Sequence, residues 1–161
     1  MTMNGEVLAQ VSASAPRRVM GVGMLMTVGA VLIYVALARP PSIPWLLFLV
    51  VVGIGALWIA MRMWNATQHS LELTETELRC SDGTLIAKVD DIEAVDRGFF
   101  AFKPSNGFLI RTRTGADRRW YPGLWWRTGN RIGVGGVTPG GQSKAMSEIL
   151  AAILAQRSML G

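Results

Sequence analysis

The chain has 161 residues, half of them hydrophobic, with one cysteine, one histidine and a formal net charge of +5. A single cysteine excludes an internal disulfide and any multi-cysteine metal site, and the histidine, His69, lies too close to an apolar segment to serve as a base inside a polar domain. After Trp64 twelve basic residues face ten acidic ones, a balance without the strongly basic footprint of a nucleic-acid binder.

In chain order, residues 1–18 come first; Met1 to Ala15 is small and polar and reads as disordered, making this a flexible N-terminus. Arg17 and Arg18 then lead into the uncharged run Val19 to Ala38, and after the turn Arg39 to Pro44 a second uncharged run, Trp45 to Met61, follows. Each run is close to the length of about 20 residues with which a helix crosses a hydrocarbon core about 30 Å thick. The pattern predicts a transmembrane hairpin over 19–64, with helices at 19–38 and 45–63, so the lipid bilayer is the first expected partner. Arg17, Arg18 and Arg62 flank one end of the hairpin and Arg39 stands by itself at the other. By the positive-inside rule both termini are expected in the cytoplasm.

A cleaved signal peptide is the competing reading of the first run, which ends in Ala36-Leu37-Ala38. Its length exceeds the usual apolar region of about 7–15 residues, which favours an anchor. Neither Val19 to Ala38 nor Trp45 to Met61 holds an Asp, Glu, Lys, Arg or His, and this argues against an ion or proton path through the hairpin. Gly21, Gly23 and Gly29 on the first helix and Gly53, Gly55, Ala56 and Ala60 on the second suit close helix packing. Trp45 and Trp64 fit an interfacial belt, while Trp58 must face lipid or another helix.

From residue 65 to 161 the pattern is that of a small polar domain. Leu71 to Leu73 and Leu78 to Cys80 alternate as strands; Asp82-Gly83 is a hairpin-turn pair, and Thr84 to Val89 returns. Ile92 to Val95 is a further strand, followed by the aromatic stretch Phe99 to Phe102. Asn106-Gly107 turns the chain into Phe108 to Thr114, Gly115 to Asp117 turns it again into Arg118 to Tyr121, and Arg131 to Val137 reads as the last strand. Met146, Ile149, Leu150, Ile153 and Leu154 then share one face of an amphipathic helix, with Thr138 expected as N-cap and Pro139 at the first helical position.

Two apolar helices, a run of short strands with the Asp82-Gly83 hairpin, the segment Asp91 to Val95, Gly107 to Thr114 and a closing helix after Arg131 together resemble bacterial two-helix membrane proteins with a pleckstrin-homology-like domain. The resemblance covers about 85 residues of the polar part, a length that suits one small domain. It implies an α+β membrane protein of the bacterial inner membrane: a transmembrane hairpin followed by a cytoplasmic β-roll, or partly open barrel, capped by the C-terminal amphipathic helix. It further implies a scaffold or binding module that is not an enzyme. Phosphoinositide recognition is not carried over, because Ser81 to Thr84 contains no lysine or arginine.

Charge within the domain is divided. Glu72, Glu75, Glu77, Asp82, Asp90, Asp91, Glu93 and Asp96 crowd its first third, whereas Arg111, Arg113, Arg118, Arg119, Arg127 and Arg131 follow with Asp117 among them. The basic stretch also carries Trp120, Tyr121, Trp125 and Trp126. Trp, Tyr and Arg dominate interface hot spots, so Arg111, Arg113, Arg118, Arg119, Trp120, Tyr121, Trp125, Trp126 and Arg127 form the candidate surface for a partner. Aromatics equally fill the cores of small domains, and both readings stay open for the cluster; adjacent Trp125 and Trp126 point to opposite faces of a strand, so one is expected to be exposed.

The leading expectation is an accessory or assembly module for another membrane protein or complex; the alternative is a sensor of anionic lipid headgroups through the 111–131 face. No catalytic residue, metal or cofactor is expected. Gly133 to Gly141 lacks a phosphate-loop spacing, Ser105, Ser143 and Ser147 lack a nucleophile-elbow setting, and Cys80 reads as a half-buried strand thiol.

Overall fold

The computed structural model describes residues 5–98 and 105–161; the expected aromatic stretch Phe99 to Phe102 lies outside them. The first element is already a departure from the flexible terminus expected at 1–18. Ala9–Ser12 forms strand β1 and pairs antiparallel with β2, Ser70–Leu73, placing Val11 opposite Leu71. Val11 is fully buried there. Ala9-Gln10-Val11-Ser12 does alternate, but over only four residues, with its partner strand some 60 positions further on, so the pattern by itself does not separate a strand from a flexible terminus.

Between these paired strands the chain leaves the sheet as two long helices, α1 (Ala15–Ala38) and α2 (Ile43–Ala66). Both are long and apolar enough to cross a membrane, and only 17% and 11% of their apolar windows are buried inside the chain. Their backbones approach closely where a Cβ on Gly29 would lie 2.9 Å from the Gly53 carbonyl oxygen and one on Gly53 would lie 3.1 Å from that of Gly29, and side chains meet again at the base, where Val22 packs with Ala60 and Met63. Gly23 and Gly55, by contrast, face open space. Trp45 and Trp58 are exposed, and Trp64 carries the guanidinium of Arg18 3.9 Å above its ring.

The rest builds two antiparallel sheets. One has the order β1-β2-β3-β4, with β3 at Glu77–Cys80 and β4 at Leu85–Lys88; the other is β5-β6-β7, with β5 at Ile92–Asp96, β6 at Phe108–Tyr121 and β7 at Trp125–Val134. A 3-10 turn over Val89–Asp91 carries the chain from one sheet to the other. The Asp82-Gly83 signal is a turn, with Gly83 at φ +89° and the Thr84 carbonyl accepting from Cys80 N–H at 2.8 Å. Gly115 to Asp117 is not a turn: β6 runs straight through as one strand of 14 residues, and its register against β7 shifts around Ala116 instead. Irregularity in a long twisted ribbon is taken up by such bulges, which a turn-like Gly-Ala-Asp sequence cannot be told from.

The last strand starts earlier and ends earlier than its sequence pattern, because Gly135 and Gly136 adopt φ of +136° and +135° and leave the sheet. Helix α3 occupies Gly140–Leu160, with Pro139 rather than Thr138 as its N-cap. Met146 and Leu150 are buried and Ile149, Ile153 and Leu154 half-buried, as their spacing predicts. The helix lies across β1 and β5, one edge strand of each sheet. Arg157 ties its far end down, donating to the carbonyls of Val89 and Asp90 at 2.8 and 3.0 Å. Leu71, Leu73, Leu78, Ile86, Phe108, Ile110, Leu124, Trp125 and Ile132 fill the space between the sheets.

Candidate functional site

The β6–β7 ribbon sorts the basic and aromatic residues by register. Tyr121 lies opposite Trp125, Trp120 opposite Trp126 and Arg119 opposite Arg127. Trp125 is 1% exposed and belongs to the core, with Tyr121 stacked on it at 4.8 Å between ring centres. Trp126 is half-buried, its indole lying against Gly133 where a Cβ would collide with the ring. The expectation that one of the adjacent pair is exposed is met only in part, because Gly133 leaves a flat seat that covers one side of the Trp126 ring. Trp120, 43% exposed, is the indole of this cluster that reaches solvent.

Arg127 also turns inward. It is 7% exposed and its guanidinium donates to the Ile86 carbonyl on β4, to the carbonyls of Gly129 at 3.1 Å and Thr114 at 3.2 Å, and to the Thr112 hydroxyl at 3.4 Å. These bonds join β7 to β4, the outer strands of the two sheets; the one to Ile86 is buried, and the Thr114 carbonyl accepts from the Thr112 hydroxyl as well, at 2.8 Å. Arg111 is exposed and pairs with Glu93 at 3.3 Å, and Arg113 is exposed on the same strand. Of the nine expected residues, Trp125 and Arg127 thus hold the fold together, while Arg118, Arg119 and Trp120 gather at the open end of β6.

There the structure brings in residues that the sequence reading left apart. Gly123, in the β6–β7 turn, packs against Met63 and Thr67 near the end of α2, and an open cleft of about 470 Å³ forms beside that contact. Arg62, Asn65 and His69 line it from the α2 side, Arg118, Arg119, Trp120 and Tyr121 from β6, and Asp82 from the β3–β4 turn. Positions 62, 65 and 66 share one face of α2 by helical spacing; the signal was present in the sequence, but nothing there indicated which strand end this face would meet.

Asp82 and Tyr121 form a fixed corner of the cleft. The Tyr121 hydroxyl donates to Asp82 Oδ2 at 2.9 Å, and Thr84 N–H donates to Oδ1 at 2.9 Å. Slight burial pushes the Asp82 carboxyl up, but the hydrogen bonds from Thr84 and Tyr121 outweigh it and hold the group at about 2. Burial pushes the neighbouring Cys80 thiol up, away from the thiolate form that reacts or binds metal. Among the described residues no group of His, Cys, Asp and Glu is placed to hold a metal ion.

A second, apolar groove of about 610 Å³ runs between the helices, lined by Val19, Val22, Met26, Leu57, Met61 and Trp64. The base of the hairpin is fastened to the sheets independently: Val137 packs on Val22, Ala60 and Met63, its carbonyl accepts from Ser14 N–H at 2.9 Å, and Arg17 donates to the Thr138 carbonyl at 2.8 Å. The chain is an α+β protein with two long apolar helices set into antiparallel sheets and a C-terminal helix, and comparison with family models, with curated proteins and with solved structures finds no match to any of them.

Proposed function

We propose that this chain is a non-enzymatic integral membrane protein of the bacterial inner membrane. Its pleckstrin-homology-like sheet domain is held in fixed orientation at the cytoplasmic surface and acts as a binding or assembly module for another membrane component. The observation that carries this reading is the insertion of the helical hairpin between two paired strands of one sheet. Because β1 precedes α1 and β2 follows α2, both ends of the hairpin open onto the same sheet, and Arg17, Arg18 and Arg62 lie at that end while Arg39 lies at the other. That distribution follows the positive-inside rule. Signal cleavage after Ala38 would remove β1 and with it the fully buried Val11, which supports an anchor that stays attached.

Such a mount suits display better than chemistry. A surface fixed to a membrane by two helices and by the bonds around Val137 and Thr138 presents its exposed residues at a set height and angle, which lowers the entropic cost of meeting a partner in the same bilayer. The test is affinity purification of the full-length protein in mild detergent, with Trp120→Ala alongside. A membrane protein recovered in stoichiometric amount, resistant to moderate salt and lost with Trp120→Ala, is the expected result; recovery of the chain by itself under every condition overturns the reading. Salt resistance matters because charge attraction to headgroups is screened over about 8 Å at physiological ionic strength, whereas burial of an indole is not.

A second reading, direct sensing of anionic lipid, is favoured by one specific observation. Arg118 and Arg119 form no ion pair with any described carboxylate, unlike Arg111, which is partnered by Glu93.

A further inference from the structure

We infer that the cleft between the end of α2 and the tip of β6 holds the phosphate group of an anionic lipid headgroup. The inference rests on the membrane-anchored reading above and assigns that reading a ligand and a site. Arg62 from α2 and Arg118 and Arg119 from β6 line the cleft, the Arg62 guanidinium lying 5.5 Å from the centre of the Trp58 ring on its own helix. Arg79, Arg111 and Arg157 each sit within 4 Å of a carboxylate, but Arg62, Arg118 and Arg119 make no ion pair among the described residues. Unpartnered guanidinium forks are the group best matched to phosphate oxygens.

The acidic member of the lining does not cancel them. Asp82 is ionised, one negative charge against three positive ones, and its two carboxylate oxygens are occupied by Thr84 N–H and the Tyr121 hydroxyl. Asn65 and His69 add side chains able to donate hydrogen bonds. The volume, about 470 Å³, falls in the range of about 300–1,000 Å³ typical of small-ligand sites.

Position selects a lipid over a free anion as the source of the phosphate. Arg62 lies one turn from the end of α2, two residues before Trp64, whose ring is covered by Arg18. Indole rings and arginines at a helix end mark the headgroup layer. The cleft opens beside this level, with Trp120 exposed at its rim, so a headgroup can enter sideways from the leaflet while its acyl chains stay in the bilayer.

The test is native mass spectrometry of the full-length protein released from detergent with phosphatidylglycerol or phosphatidylcholine added in turn. Three forms are compared: the unaltered chain, Arg118→Gln/Arg119→Gln, and Lys88→Gln/Lys144→Gln, which removes the same charge from exposed positions outside the cleft. Selective retention of phosphatidylglycerol is expected, weakened about tenfold or more by the arginine pair, as loss of charge-assisted hydrogen bonds predicts, and left unchanged by the lysine pair. Arg62→Gln is expected to behave like the arginine pair. Equal weakening by both double variants overturns the proposal in favour of diffuse charge, and so does equal retention of the two lipids. Binding of added inorganic phosphate through the same arginines, with no lipid retained, overturns the lipid source. Alkaline carbonate extraction of each variant separates two failures: a chain washed out of the membrane refutes the anchored reading itself, whereas a chain that stays but holds no lipid through these arginines refutes the cleft. Circular dichroism melts establish that each variant is folded.

Discussion

Arg127 and Arg118 look alike in the sequence and behave oppositely in the fold. The first lies on β7, where the side chain reaches across to β4 and donates to carbonyls on three strands; the second lies on the free end of β6 and is exposed. Replacing Arg127 with Ala removes these bonds, the buried one to the Ile86 carbonyl among them, and is expected to destabilise the domain by about 1–3 kcal/mol in denaturant unfolding, whereas Arg118→Ala is expected to change stability by less than about 0.5 kcal/mol. Equal stability of the two variants would show that the Arg127 bonds do not bear on the fold. Asp82 makes a prediction in pH. Its folded-state value is lowered from 3.8 to about 2, so its contribution to stability is present above 3.8 and is lost as pH falls through about 2. Asp82→Asn should therefore lower thermal stability above pH 3.8 and flatten the acid limb between 3.8 and about 2; an unchanged acid limb would show that Asp82 does not contribute.

At the level of elements, the two helices share a close backbone crossing and the first sheet is completed by one short strand. Gly29 and Gly53 bring their backbones together, so Gly29→Leu must push the helices apart and is expected to lower the melting temperature in detergent, at a cost of about 1–3 kcal/mol typical of overpacking. Gly55→Leu, which meets open space on the same hairpin, is the control and should be tolerated; similar losses from both would show that composition rather than close approach matters. Strand β1 is tested by Val11→Asp. A carboxylate at a fully buried position has no partner to offset its desolvation, and a loss of at least about 3 kcal/mol is expected. A flexible terminus would tolerate it without effect. These two cases differ in legibility: small residues spaced along an apolar run announce a helix contact, but which pair touches depends on the crossing angle, and the alternation Ala9 to Ser12 is too short to announce a strand before its partner is known.

For the whole molecule, the placement of the hairpin within a sheet sets where its ends are. In an anchored chain a reporter fused after Gly161 and one inserted at Ser42 must lie on opposite sides of the membrane, and a reporter placed before β1 must share the side of the first. Alkaline phosphatase and green fluorescent protein fusions read this directly, with phosphatase activity expected at Ser42 and fluorescence at both ends. Activity of the phosphatase at the C-terminus would reverse the proposed orientation, and the same side for all three would refute spanning. In the proposed orientation the positive flanks Arg17, Arg18 and Arg62 set the direction, and the β1–β2 pairing keeps the two ends of the hairpin on one sheet.

Much of this architecture follows from local chemistry that any reader of the sequence can find. Two uncharged runs of helical length, the Asp82-Gly83 turn, the alternation of Leu71 to Cys80 and the stripe from Met146 to Leu154 each involve neighbours within a few residues, and hydrophobic period or turn preference is sufficient to place them. The tertiary structure decided what depends on distant partners: that residues 9–12 complete a sheet with 70–73, that Gly115 to Asp117 is a bulge in one long strand, and that Trp125 and Arg127 face inward while Trp120, Arg118 and Arg119 face out. It also joined Arg62, on the last turns of α2, to a strand end more than 50 residues away. The physical reason is that burial and ion pairing are properties of position in space, and one basic, aromatic stretch yields core or surface according to the register in which its ribbon is paired.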